Sequence, residues 1–336
     1  MTHFTQRTFA VATVLTCFAC SEPAADQNEW DFLGNSDQER LSETGLFSDV
    51  AERRLASGVR AFRPRFELWT DGAGKRRWVW LPDGEQIDTS DPDHWEYPLG
   101  TKFWKEFRND ERLLETRLLE KTGTPPFNWR FIAFVWNETE ADAIAVPDGV
   151  SNVPGTDHDV PSEKQCRTCH LGRKDIALGF SAVQLAHDAA DSLTLDSLVG
   201  ENILSGGLSD ARREDLSIPG SQSIQQALGQ LHANCGHCHN PLGDGYDRND
   251  MELWLRAEDL TDVSLTGAYR TAVGRALSED IHGLTSRIVP GDPEASAVYV
   301  RMTTRGREEL DMPPLGTEIV DTDAAERVFE WISDLE

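Results

Sequence analysis

The stretch Ser221-Gln-Ser-Ile-Gln-Gln-Ala-Leu-Gly-Gln-Leu-His-Ala-Asn-Cys-Gly-His-Cys-His239 carries a helix and a chemical motif in one run. Ile224, Leu228 and Leu231 fall at i, i+4 and i+7, which lines one helical face, and Ser221 or Ser223 is placed to cap the start. The predicted helix feeds directly into Cys235-Gly-His-Cys238-His239, a C-x-x-C-H motif. A second copy, Cys166-Arg-Thr-Cys169-His170, lies earlier in the chain. At the C-terminus, Asp323 to Leu335 repeats the helical pattern. Val328, Trp331, Ile332 and Leu335 form its apolar stripe, and Asp321 or Thr322 serves as its cap.

The chain has six cysteines: Cys17 and Cys20 near the N-terminus, and four that all belong to the two motifs. Such a motif suits covalent haem attachment. The two thiols add to the two porphyrin vinyl groups from a single turn of chain, and the next histidine supplies an axial nitrogen to iron. Four cysteines and two histidines are also enough for a closed zinc site, and a lone C-x-x-C is enough for a redox pair. The gap between Cys169 and Cys235 is far longer than the spacing of compact zinc modules. The expectation is therefore two haem c groups, attached at Cys166 and Cys169 and at Cys235 and Cys238, with His170 and His239 as iron ligands.

Residues 221–336, with a helix before the motif and a helix at the end, resemble a class I cytochrome c domain. In that family the first and last helices cross beside the haem, and a methionine in a loop before the last helix is the sixth iron ligand. Asp311-Met-Pro-Pro-Leu-Gly316 occupies that place, so the resemblance implies Met312 as the ligand. Ser286-Arg-Ile-Val-Pro-Gly-Asp-Pro-Glu-Ala-Ser296 together with Met312-Pro-Pro resembles cytochrome domains of planctomycete-type secreted proteins. The whole arrangement looks like a family of secreted di-haem proteins of unassigned function. Met302, in Val298-Tyr-Val-Arg-Met302, sits in an apolar run expected to be helical and reads as a core residue, and Met251 is ambiguous.

The first motif lacks a domain of its own, because residues 171–220 are too few for one. No methionine occurs between His170 and Met251, so its iron needs a distal histidine, a methionine from the C-terminal region, or an open position. His187, His158 and His282 are the candidates. His232, one turn before Cys235 on the same helix, reads as a residue that orients the helix.

Upstream, Phe62 to Val146 contains Trp69, Trp78, Trp80, Trp95, Trp104, Trp129 and Trp136. Lys75-Arg-Arg-Trp-Val-Trp-Leu-Pro82 and Asn128-Trp-Arg-Phe-Ile-Ala-Phe-Val-Trp136 read as strands bounded by turn residues. Asp71-Gly-Ala-Gly74 reads only as a turn. The expected fold is multidomain α+β: a Trp-rich, mainly-β sandwich or barrel over 61–150, a connector carrying the first motif over 151–220, and an all-α domain over 221–336. Only Leu41 to Leu55 hints at helix before that. Residues 1–20 read as an export signal, with Arg7 before the uncharged run Phe9 to Ala19, and 21–60 as a polar tether and lead-in. Cys17-Phe-Ala-Cys20 resembles a lipoprotein cleavage site, which leaves two readings open: a lipid anchor at Cys20, or cleavage and release. The expected location is periplasmic or lipid-anchored to a bacterial membrane.

The net charge of −26 repels nucleic acid and anionic lipid and leaves two readings open: a surface that favours a basic redox partner protein, or an acidic solvated surface that only keeps the protein soluble. Hydrolase, zinc-protease, nucleotide and dinucleotide fingerprints are missing from the sequence. Three functional readings follow: an electron carrier, a di-haem peroxidase-like enzyme with an open site at the first haem, and a binding module with an attached electron relay. An exposed tryptophan face would favour the third, buried tryptophans would not.

Overall fold

Alternating residues along six strands send large apolar side chains to opposite faces of one sheet. The computed structural model describes residues 39–336 apart from 111, 124–127, 173–175 and 308. The expected export leader, Cys17, Cys20 and the expected tether through Glu29 lie outside the described residues. Strands β1 (Arg60–Phe62), β2 (Gly74–Trp80), β3 (Lys102–Arg108), β4 (Leu113–Lys121), β5 (Trp129–Trp136) and β6 (Ala143–Ala145) pair antiparallel in sequence order. The mainly-β character of this region is as expected. Its architecture is not: a single open meander stands where a sandwich or barrel was expected.

One face of the meander buries Trp78, Trp104, Leu118, Ile132, Phe134 and Trp136. Register places Trp78 opposite Trp104, Trp104 opposite Leu118, and Leu118 opposite Ile132, a row of large side chains across four strands. Two of the buried indoles find polar partners, Trp104 Nε1 donating to Thr44 Oγ1 (3.1 Å) and Trp136 Nε1 to Thr116 Oγ1 (3.0 Å). Leu41, Leu46 and Phe47 cap this face. The hinted helix over 41–55 is replaced by a short turn of 3-10 helix at Leu41–Glu43 and strands at Phe47–Asp49 and Arg54–Leu55. Gly45, at φ +86, turns the chain where a helix would have to continue.

The opposite face packs on the rest of the chain. Phe180 stands at the centre of an aromatic cluster, 4.8 Å from Phe62, 5.3 Å from Phe103 and 5.9 Å from Trp95 between ring centroids. Tyr97 donates its hydroxyl to the Phe180 carbonyl at 2.6 Å. Phe180→Ala is expected to cost about 3–5 kcal/mol, read as a lower urea midpoint with unchanged slope.

Four helices matter to the site: α1 (Glu163–His170), α2 (Gln222–Asn234), α3 (Ala297–Met302) and α4 (Thr322–Ser333). Ser221 caps α2 through Ile224 N, and Asp321 caps α4 through Ala324 N, as expected. Helices α2 and α4 pack together through Leu228, Leu231, Val328, Trp331 and Ile332. Gly229 lets the extended segment after β1 lie on α2, since a Cβ there would fall 2.2 Å from Phe66 ring atoms. The same segment is laced down by Gln184 Oε1, which accepts from Phe66 N (2.9 Å), and by Asn234 Oδ1, which accepts from Trp69 N (2.7 Å).

The all-α class I cytochrome domain expected over 221–336 is not what this region forms. Between α2 and α4 the chain builds a β-hairpin, β7 (Ala276–Ile281) with β8 (Leu284–Ser286), and several one-turn pieces. His282 and Gly283, at φ 53 and φ 90, make the tight turn with two left-handed residues that two-residue hairpins favour. That dipeptide was the turn signal that the helical reading passed over. The described residues belong to one compact unit, and one hydrophobic core runs from Phe62 of the sheet to Trp331 of α4. Among the described residues no helix is long and apolar enough to cross a membrane.

Candidate functional site

Ser162 caps α1 in a reciprocal pairing with Gln165, so the first motif begins one turn inside a helix. The i, i+3 spacing puts Cys166 and Cys169 on one face of α1, with His170 as its last residue. His170 packs edge-on against Phe131 of β5, 5.3 Å between ring centroids. Its Nδ1 lies 2.7 Å from the Ile176 carbonyl oxygen. A carbonyl only accepts, so Nδ1 carries the proton and Nε2 keeps its lone pair. Burial pushes the His170 pKa down to about 4, which keeps the ring neutral at pH 7. A metal-binding histidine needs both properties.

The second motif is built on the end of α2. Cys235 closes the helix, and Cys238 N and His239 N both donate to the Cys235 carbonyl, at 3.1 and 2.9 Å. Asn240 Nδ2 ties the turn by donating to the carbonyls of Gly236 (2.8 Å) and His237 (3.0 Å). Gly236 is required for clearance, because a Cβ there would sit 2.7 Å from the His232 carbonyl. His232 itself accepts from Leu255 N at 3.0 Å through Nδ1 and packs 4.0 Å from the Trp254 ring, so it fixes the helix as expected. His239 is buried and its pKa is also pushed down to about 4, by burial first and then by His237 and Arg301. Its Nδ1 has no hydrogen-bond partner.

The chain brings the two motifs together. Cys238 and His237, beside Cys169, hold its thiol well below the usual range against the opposing effect of burial. Cys238 moves in the opposite direction, chiefly because its proton serves Cys169 and then because it is buried. Burial pushes the Cys235 thiol up to about 12 and raises Cys166 as well. All four are free thiols. Among the described residues no group of three or more His, Cys, Asp or Glu side chains is placed to hold a metal ion, so the cysteines do not converge on a zinc site.

A cavity of about 530 Å³ lies between the inner sheet face and the first motif, lined by Cys166, Cys169 and His170 and also by His237 and Cys238. That volume is within the roughly 300–1,000 Å³ of cofactor pockets. Of the distal candidates, His158 lines the cavity, but its Nε2 donates to Glu115 at 2.9 Å. His187 is not brought there: its Nε2 donates to the Arg63 carbonyl (2.8 Å). Nor is His282, which is exposed and paired with Glu309 (2.6 Å). The reading of the sequence missed His237, which looked like filler within its motif yet faces the first motif's cavity with its Nδ1 buried and unpartnered.

The cavity's sheet wall is cationic although the chain is strongly acidic. Arg77, Lys105 and Arg117 stand opposite one another on β2, β3 and β4. Like charges in that register repel, and two carboxylates offset them. Glu67 pairs with Arg77 at 3.3 Å, and Glu115, fully buried, accepts from Arg117 Nε at 2.9 Å.

Around the second motif, Cys235 and His239 share an apolar cavity with Met251, Met302 and Met312. All three methionines weighed from the sequence are thus gathered beside His239, whereas Met312 alone had been singled out. The loop that follows Met312 is held from the β region: Asp71 Oδ1 accepts from Glu318 N and Ile319 N, both at 2.8 Å, and Trp69 Nε1 donates to the Ile319 carbonyl at 2.9 Å. The supposed plain turn at Asp71 is therefore an anchor for the methionine loop.

The donor set fits haem at both motifs: paired thiols, a neutral buried histidine after each pair, and methionines at the second. Room for the group is present at the first. At the second the side chains close to about 50 Å³, so attachment there requires them to part. The chain matches no protein-family model, no curated protein and no solved structure.

Proposed function

We propose that this chain is a c-type haem protein that binds haem covalently at Cys166 and Cys169 and at Cys235 and Cys238, and that it moves electrons. The observation that carries the reading is the folding of two C-x-x-C-H motifs into one site, with His170 held as a neutral imidazole whose Nε2 is the unprotonated nitrogen. Haem held there supplies a one-electron iron couple. In this reading His170 and His239 each present one nitrogen, and Met312 is the sulfur ligand on the second site. The export leader would place this chemistry outside the cytoplasm, and the charge of −26 suits a basic redox partner whose association weakens as salt rises.

The test is expression with a cytochrome c maturation system, followed by haem per chain from the pyridine haemochrome spectrum. Two per chain is the expected result; none would sink the reading. Replacing Met312 with alanine is expected to abolish the sulfur-to-iron absorption band and lower one of the two potentials, while Met302→Ala leaves both in place. An unchanged Met312→Ala spectrum would exclude that ligand.

A second reading, a haem oxidoreductase with a substrate position at the first iron, is favoured by the size of the first cavity and by the lack of methionine in its lining. Carbon monoxide binding to the reduced protein separates the two, since a carrier with both irons saturated leaves its spectrum unchanged. The binding-module reading has less support, because Trp78, Trp95, Trp104, Trp129 and Trp136 are buried in the core and only Trp69 and Trp80 are partly exposed.

A further inference from the structure

We infer that Cys169 and Cys238 form a junction at which the two motifs touch, so that the two covalent attachment sites adjoin through one sulfur from each. This rests on the haem reading above. The direct observation is the close approach of the two motif loops, which leaves no room for a Cβ between Gly172 and the His237 carbonyl oxygen.

The backbone around them is shaped for that contact at two glycines. A Cβ on Gly172, two residues after His170, would stand 2.5 Å from the His237 carbonyl oxygen and 3.1 Å from Gly243 Cα. A Cβ on Gly243 would stand 2.2 Å from the Cys238 carbonyl oxygen. Neither overlap is with a flexible side chain: hydrogen is required at Gly172 for the two loops to approach this closely, and at Gly243 for its own loop to fold back on Cys238. The shared cavity agrees, since Cys166, Cys169 and His170 line it together with His237 and Cys238.

Chemistry favours the same conclusion. Two free thiols facing one cavity in an oxidising compartment are open to disulfide formation. Thioether formation avoids this with no added oxidant: each S–H adds across one vinyl double bond, the sulfur bonding to one carbon and the hydrogen to the other. After both additions the sulfurs of Cys169 and Cys238 remain neighbours, and each now belongs to a different cofactor. The first cofactor is thereby placed within direct reach of the second, and Cys166 and Cys235 are the attachment points away from the junction.

The experiment uses the full chain carrying its haems. Circular dichroism in the Soret region is expected to show a two-signed couplet, the mark of two adjacent chromophores, and the ferric EPR signals are expected to be broadened by mutual spin coupling. Gly172→Val wedges the junction without replacing any cysteine or histidine, its side chain pressing on the His237 carbonyl; it is expected to retain two haems per chain and lose most of the couplet. A two-haem protein with a single-signed Soret band and unbroadened EPR signals would overturn the junction and leave the proposed function standing. A Gly172→Val protein with two haems and an undiminished couplet would also overturn it. Fewer than two haems in the unmodified chain would overturn the di-haem reading, and the junction with it.

Discussion

Glu115→Ala is expected to destabilise the protein by about 3–5 kcal/mol, because it strands the positive charge of Arg117 beside a cavity that already holds Arg77 and Lys105. Glu115 has no exposed side-chain surface and accepts from both Arg117 and His158. Burial alone would raise its pKa, and the pull of Arg117 and His158 outweighs it, leaving the carboxyl below its ordinary 4.5. A depressed carboxylate pKa contributes stability that is present above the unfolded value and is lost as pH falls through the folded one. Urea midpoints measured down a pH series should therefore drop below about pH 4.5 more steeply in the unmodified chain than in Glu115→Ala. Replacing Glu115 and Arg117 together with leucine and methionine should recover much of the loss, since an apolar pair leaves no buried charge unpaired. A Glu115→Ala midpoint equal to the parent's would show that the network carries no stability.

Joint replacement of Cys235 and Cys238 with alanine is expected to halve the covalent haem, from two per chain to one. The histidine that follows would still offer a nitrogen, but without thioethers the group at that site is lost on denaturing extraction. Acid-acetone extraction followed by the pyridine haemochrome assay reads this directly. The same change at Cys166 and Cys169 should remove the other haem, and the two variants should differ in which redox wave survives. If both variants keep two covalent haems, the attachment sites have been misassigned.

The legible part of the fold was local. Ile224, Leu228 and Leu231 announced α2, Val328, Trp331 and Ile332 announced α4, and Lys75 to Trp80 and Trp129 to Trp136 announced two strands. Each signal depends on neighbours within a few residues, and propensity, capping and periodicity act at that range. The class of the C-terminal region was misjudged because two genuine helices were taken as the frame of an all-α domain, while His282-Gly283 turned the intervening chain into a hairpin. The sandwich or barrel failed for a related reason. Alternation along a strand shows that both faces are covered without showing by what, and one face is covered here by Leu41, Leu46 and Phe47 and the other by helices and loops.

For the site, the chemistry was written in the chain and the arrangement was not. The type and spacing of the four motif cysteines, each pair followed by histidine, singled out Cys166, Cys169, Cys235 and Cys238 as the residues proposed for attachment with no knowledge of the fold. Only the tertiary structure decided that Cys169 and Cys238 line one cavity, that His158 is spent on Glu115 while His237 faces the first cavity, and that Asp71 holds the loop after Met312. Those contacts join residues far apart in sequence through shared burial of one core, and no local pattern encodes which buried faces will meet.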